Sequence, residues 1–200
     1  MFMKKRIMYI FVLICIIFFV IFYYIFLLSG NNINRNQKEF VEEILKKFKS
    51  YEANLIVLVN SNKNNNEYKM YQEVNSESSK LVVNNPQNVN GLCIELKENK
   101  LIISNEKTKM QKVYENYNNF VNESIFLNTF IEDYENNKAE IEENEQEIIV
   151  KLEMKDYEDT YIKFKELYIN KKSEIPTKLI IKDNNQSIKT SIIYTDMKIK

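Results

Sequence analysis

Residues 7–28 read IMYIFVLICIIFFVIFYYIFLL, a run of 22 residues without a charge, a Gly or a Pro. At about 1.5 Å per residue, a helix of this length spans roughly 33 Å, enough for a hydrocarbon core of about 30 Å. Lys4, Lys5 and Arg6 stand directly before it, so this end is expected in the cytoplasm and the rest of the chain outside. The run is longer than the usual signal-peptide core of about 7–15 residues and reads as an uncleaved signal anchor. Leu28-Ser29-Gly30 offers a small-residue cleavage site as the alternative. Cys15 follows Ile14 rather than a small residue, and more apolar residues follow it. It reads as a small apolar helix residue, not a lipoprotein cysteine. The expected organisation is a basic tip (1–6), an anchor (7–29), a tether (30–36) and one extracytoplasmic domain (37–200).

About 170 residues for that domain are enough to bury a sizeable core. Residues 1–30 hold three cations and no acids, so the remainder carries 25 basic and 28 acidic groups, a net of −3. A nucleic-acid binder would normally show a basic excess. Abundant Asn, Ile, Lys and Tyr beside two Gly and two Pro reflect AT-rich codon usage, as in a low-GC bacterium. The chain has no His, which removes Ser–His and Cys–His nucleophile pairs and the usual zinc sites. Its cysteines are Cys15, inside the apolar run, and Cys93, so no disulfide can staple the domain. Stability must come from packing.

The domain begins with an amphipathic helix over 37–50, with Phe40, Val41, Ile44, Leu45 and Phe48 on one face. Strands are expected at 51–60, 67–75, 79–84, 92–97 and 100–105. Glu98-Asn99 is the tightest hairpin signal, because Asn99 can supply a positive φ without Gly. Residues 106–122 are polar with spaced aromatics. A second helix is expected over 123–135, capped by Asn122, with Phe126, Leu127, Phe130, Ile131 and Tyr134 on one face. The acidic stretch 135–147 reads as a solvated loop, since it lacks the glycine of a calcium-binding loop. Strands at 146–155, 160–170, 177–183 and 186–195 close the chain, with Asp183-Asn184-Asn185 as a hairpin turn. Helix, five strands, helix, four strands predicts an α+β fold. A curved antiparallel sheet, an incomplete barrel, has two helices covering one face.

No phosphate-binding glycine loop, CxxC, HExxH or GxSxG occurs. Asp156, Glu158 and Asp159 come nearest to catalytic carboxylates and read as turn residues facing water. Cys93 reads as a small buried strand residue, since Glu95 nearby offers no electropositive setting for a thiolate. No catalytic residue, metal site or cofactor is therefore expected. Phe126, Phe130 and Tyr134 are the candidate lining of an apolar ligand pocket between helix and sheet.

The stretches NPQNVNGLCIELKENKLIIS (85–104) and KELYINKKSEIPTKLIIKDNNQSIKTSIIY (165–194) carry a resemblance to a known family. The first is similar to the passage of Pro, then Gly, then strand–turn–strand in the LolA-like superfamily of lipoprotein carriers. The second is similar to its Pro-led strand and final hairpin. The pattern spans most of residues 37–198. Within the superfamily, the size and composition resemble the germination lipoprotein S group of spore formers, without that group's lipid-bearing cysteine. The resemblance implies a half-open barrel and a non-enzymatic protein at the forespore membrane that supports a cortex peptidoglycan amidase. The alternative is a carrier or sensor that holds an acyl chain or lipoprotein between helices and sheet.

Overall fold

The computed structural model describes residues 36–61, 64–117, 124–154 and 162–200. The apolar run, Lys4–Arg6, Cys15, the Asn122 cap and the carboxylates at 156–159 lie outside the described residues. No helix among the described residues is long and apolar enough to cross a membrane. Two compact units are present, Met1–Glu43 and Ile44–Lys200. Helix α1 (36–47) begins in the first unit and ends in the second. Within the first unit, Lys38 and Glu42 stand 3.8 Å apart, one helical turn from each other.

Among the described residues, the second unit holds eleven strands. They are β1 (Tyr51–Asn60), β2 (Asn65–Val74), β3 (Ser78–Asn85), β4 (Leu92–Lys97), β5 (Lys100–Asn105), β6 (Met110–Tyr114), β7 (Ala139–Glu143), β8 (Glu147–Glu153), β9 (Phe164–Asn170), β10 (Pro176–Lys182) and β11 (Ile188–Ile199). All join one open antiparallel sheet in the order β6-β5-β4-β3-β2-β1-β11-β10-β9-β8-β7. The fold is α+β. From β1 at the centre, the chain steps outward by short connections to the edge strand β6. It then crosses to the opposite edge, β7, and steps back until β11 lies beside β1. Helix α2 (Leu127–Asn136) lies in the connection between the two edges.

Period-two alternation puts one set of side chains on one face of this sheet. A single row of facing residues runs Tyr68, Val57, Ile192, Leu179, Leu167, Val150 and Ile141 across seven strands. Ile192, Leu179, Leu167 and Val150 in that row are fully buried. Each buried aliphatic side chain contributes about 1.5–3 kcal/mol of transfer free energy. Ile44, Leu45 and Phe48 are also buried, which matches the apolar stripe of α1.

Among the described residues, three buried polar residues interrupt this inner face: Gln72, Ser79 and Lys165. A buried polar group without a partner costs about 1–3 kcal/mol, so each needs one. The segment that carries α2 supplies all three. The Tyr51 hydroxyl donates to Gln72 Oε1 at 2.6 Å, and Gln72 Nε2 donates to the Ile125 carbonyl at 3.2 Å. Asn128 Nδ2 donates to Ser79 Oγ at 3.3 Å. Lys165 Nζ, on a fully buried side chain, pairs with the Asp133 carboxylate. The polar exceptions on the sheet are therefore the docking points of the helix.

The start of α2 departs from expectation in the same way. Its N-cap is Phe126, extended at φ −88° and ψ 140°, which has no side chain able to accept a backbone N–H. The Leu127 N–H instead donates to Tyr51 Oη at 3.1 Å. The sheet thus satisfies one of the free donors at the helix start.

Strands β1, β4 and β5 have the expected bounds, and the Glu98-Asn99 turn has φ +51° and +60° at its two central residues. Such a turn follows the right-handed twist of the strands it joins. Two strands were not expected. β6 lies inside the polar stretch 106–122, and β7 lies inside the acidic stretch read as a loop. Both are edge strands, with few or no buried residues, so neither shows an apolar alternation.

Asp133→Ala is expected to leave the Lys165 ammonium buried without a counter-charge, at a cost of about 3 kcal/mol. Urea unfolding will measure it, and Lys165→Met in the same chain should restore most of the loss. The Tyr194 hydroxyl is buried and bonded to nothing among the described residues, and burial holds its pKa well above 10. Tyr194→Phe should therefore raise stability at pH 7 by about 1 kcal/mol. Burial also raises Tyr51, and it pushes Tyr168 up to about 12 with help from the bond to Glu166. Above about pH 10 the unfolded chain loses these protons while the folded chain keeps them, so stability falls as pH rises. The urea midpoint should drop between about pH 9.5 and 11.5, and drop less in Tyr194→Phe.

Candidate functional site: an apolar groove on the sheet

The inner face that holds α2 also forms a groove of about 720 Å³. Its walls come from one end of the strands: Val57 and Val59 on β1, Tyr68 and Met70 on β2, Leu81 and Val83 on β3, Leu92 and Ile94 on β4, and Ile103 on β5. Ile181 and Thr190 bound it from β10 and β11, and Ser124 and Ile125 from the segment before α2. The register accounts for this grouping. Val57 faces Tyr68, Met70 faces Val83, Leu81 faces Ile94, and Ile94 faces Ile103, so the walls are one patch of side chains. Val57, Leu81 and Val83 are buried, whereas Val59, Tyr68, Leu92, Ile94 and Ile103 are half-buried.

A groove of this size lies in the range of small-molecule sites, about 300–1,000 Å³. Its chemistry is almost wholly apolar. Lys189 lies at the margin, 2.9 Å from Asp183. That ion pair, then the Ser187 and Asn185 backbone N–H groups, hold the Asp183 carboxyl below the usual range. Such a surface can take up apolar atoms and offers little means of polarising a bond.

Phe126, Phe130 and Tyr134 are the residues expected to line a pocket between helix and sheet. They are 2%, 0% and 8% exposed and belong to the buried face of α2. None is among the residues that line the groove, where Ser124 and Ile125 stand instead. The residues that do line it carry a signal in the sequence, the alternation of Val57, Val59, Leu81, Val83, Ile94 and Ile103. Alternation marks the inner face but not the part of that face that α2 leaves open.

Cys93 is half-buried on β4, opposite Val82, and burial raises its thiol pKa, as expected of a thiol that is not activated. Glu142 and Glu143 of the acidic stretch pair with Lys151 and Lys171. Among the described residues, no group of three or more Cys, Asp or Glu is placed to hold a metal ion.

No curated protein matches the chain in sequence. Among solved structures, an uncharacterised conserved protein from Thermus thermophilus aligns with a TM-score of 0.55 and 10% identity, over 82% of this chain and 88% of that one. A chain from the structure of the CwlD amidase of Clostridioides difficile in complex with the GerS lipoprotein aligns with a TM-score of 0.54 and 20% identity. That alignment covers 84% of this chain and 95% of the other. A LolA-superfamily protein from Nitrosomonas europaea aligns at a TM-score of 0.44 and 15% identity, over 79% and 92%. The profile described as "Sporulation protein YdcC-like" matches residues 5–200. The chain therefore belongs to the sporulation protein YdcC-like family.

Proposed function

We propose that this protein is a non-enzymatic, membrane-anchored interaction protein of sporulation that supports a cell-wall amidase acting on cortex peptidoglycan. Membership of a sporulation family over residues 5–200 carries the reading. Likeness in fold to a chain of the amidase–lipoprotein complex supplies the kind of partner. The absence of His from the whole chain agrees with a role in binding rather than catalysis. In this reading the open sheet curls into an incomplete barrel on the outer side of the membrane. The run at 7–28 holds it there with Lys4–Arg6 inside.

The groove favours a second reading, in which the protein carries or senses an acyl chain. The site in that case is the patch around Val57, Leu81, Val83 and Ile94, with Phe126, Phe130 and Tyr134 supporting it from the packed side of α2.

Affinity capture of the tagged full-length protein from sporulating cells should recover a cell-wall amidase, and a deletion strain should germinate poorly. Recovery of no hydrolase, together with normal germination, would sink the first reading. A thiol label that cannot cross the membrane should reach a cysteine placed at Ser61 in intact cells but not one placed at Met3. The opposite pattern reverses the topology. Native mass spectrometry of the protein should find a co-purified lipid under the second reading, and Val83→Lys should abolish it. A lipid-free wild type counts against that reading.

A further inference from the structure

The two edges of the sheet are unlike. Edge strand β7 carries Glu140, Glu142 and Glu143 in five residues, and two of these pair with neighbouring lysines. Charge of this density discourages a further strand from adding to an edge. Edge strand β6, MQKVY, is exposed along its whole length. Met110, Val113 and Tyr114 are 69%, 42% and 37% exposed, and they make up three of the six large exposed hydrophobics among the described residues. Lys109 and Lys112 flank them and form no ion pair with any described residue. Lys112 instead sits 4.7 Å from the centre of the Tyr114 ring.

This edge is also held in shape. At one end Asn105 Oδ1 accepts the Lys107 and Thr108 N–H groups, and Lys109 turns into the strand at φ +53°. At the other, the Tyr117 N–H donates to the Asn99 carbonyl at 2.6 Å, and the Tyr114 and Tyr117 rings lie 6.5 Å apart. A pre-formed strand costs little entropy to pair with. Its outward N–H and C=O groups can bind an extended peptide, while alternate side chains choose which peptide.

We infer that β6 is a docking edge for an extended segment of a partner protein in which acidic residues alternate with apolar ones. Lys112 shares a face of β6 with Met110 and Tyr114, so the acidic residues would lie along that face opposite Lys112, and the apolar residues would cover Val113 on the other face. Opposite charges across a strand pair stabilise it, whereas like charges oppose it. The inference rests on the interaction reading above and gives it a surface.

The test uses the full-length protein in detergent micelles with two probes, acetyl-(Glu-Val)4-amide and acetyl-(Lys-Val)4-amide. Amide hydrogen exchange is followed by mass spectrometry. The acidic peptide should slow exchange across 110–114, and the basic peptide should not. Lys112→Glu should weaken the acidic peptide about tenfold and admit the basic one. Equal effects of both peptides, no protection at 110–114, or protection that grows with protein concentration alone would overturn the inference. The last outcome would assign the edge to a second copy of this chain. Capture of an amidase undiminished by Lys112→Glu would also overturn the docking edge while leaving the interaction reading intact. Charge reversal in the peptide assay without capture of any amidase would support the edge and sink the amidase.

Discussion

Burial of Gln72, Ser79 and Lys165 on a largely apolar sheet face is the constraint on which the arrangement depends. A sheet of eleven strands with a continuous Val, Ile and Leu face would accept a covering helix in many positions, because apolar contact is not directional. Gln72, Ser79 and Lys165 remove that freedom. Each would be left unsatisfied if the helix slid or turned, and the penalty per group is a large fraction of the net stability of a marginally stable fold. Tyr51 joins the two systems. It donates to Gln72 and accepts from Leu127 N–H, so the sheet positions the helix and also caps it.

The groove follows from that placement. Helix α2 is held over Gln72, Ser79 and Lys165, and the far ends of β1 to β5 contribute the groove walls. The same class of residue serves as core beneath the helix and as groove beyond it. Leu55, between Ala53 and Val57 on β1, is buried, whereas Val59 two steps beyond Val57 is half-buried. The difference between them is position, not chemistry. The half-buried groove walls and the exposed edge β6 both leave apolar surface available, and the walls come mostly from β1 to β5 with Ile181 and Thr190 added from β10 and β11.

Much of the secondary structure was legible because alternation is a local property. Strands flanked on both sides, such as 51–60, bury one face and so write a period of two into the residues. The edge strands do not. Residues 110–114 bury nothing, and 139–143 alternate Glu with half-buried residues, so both read as polar connections. The start of the second helix was misplaced for a related reason. Phe126 continues the helical spacing of Phe130 and Tyr134, yet it is extended, and the group that caps the helix start is Tyr51, 76 positions away along the chain from Leu127. No local signal encodes a cap of that kind.

By itself the sequence determined the class of the chain: a membrane-length apolar run with cations before it, then an antiparallel α+β domain without histidine chemistry. These are properties of composition and short-range period, which act wherever the chain goes. The tertiary structure alone decided which apolar residues became core and which became groove. It also decided which polar residues on the face were tolerated, and which strand was left as an open edge. Those outcomes depend on which side chains meet across long separations, 21 positions for Tyr51 with Gln72 and 76 for Tyr51 with Leu127. Phe126, Phe130 and Tyr134 show the difference. Their spacing marked an apolar helix face, and only the docking of that helix made the face core.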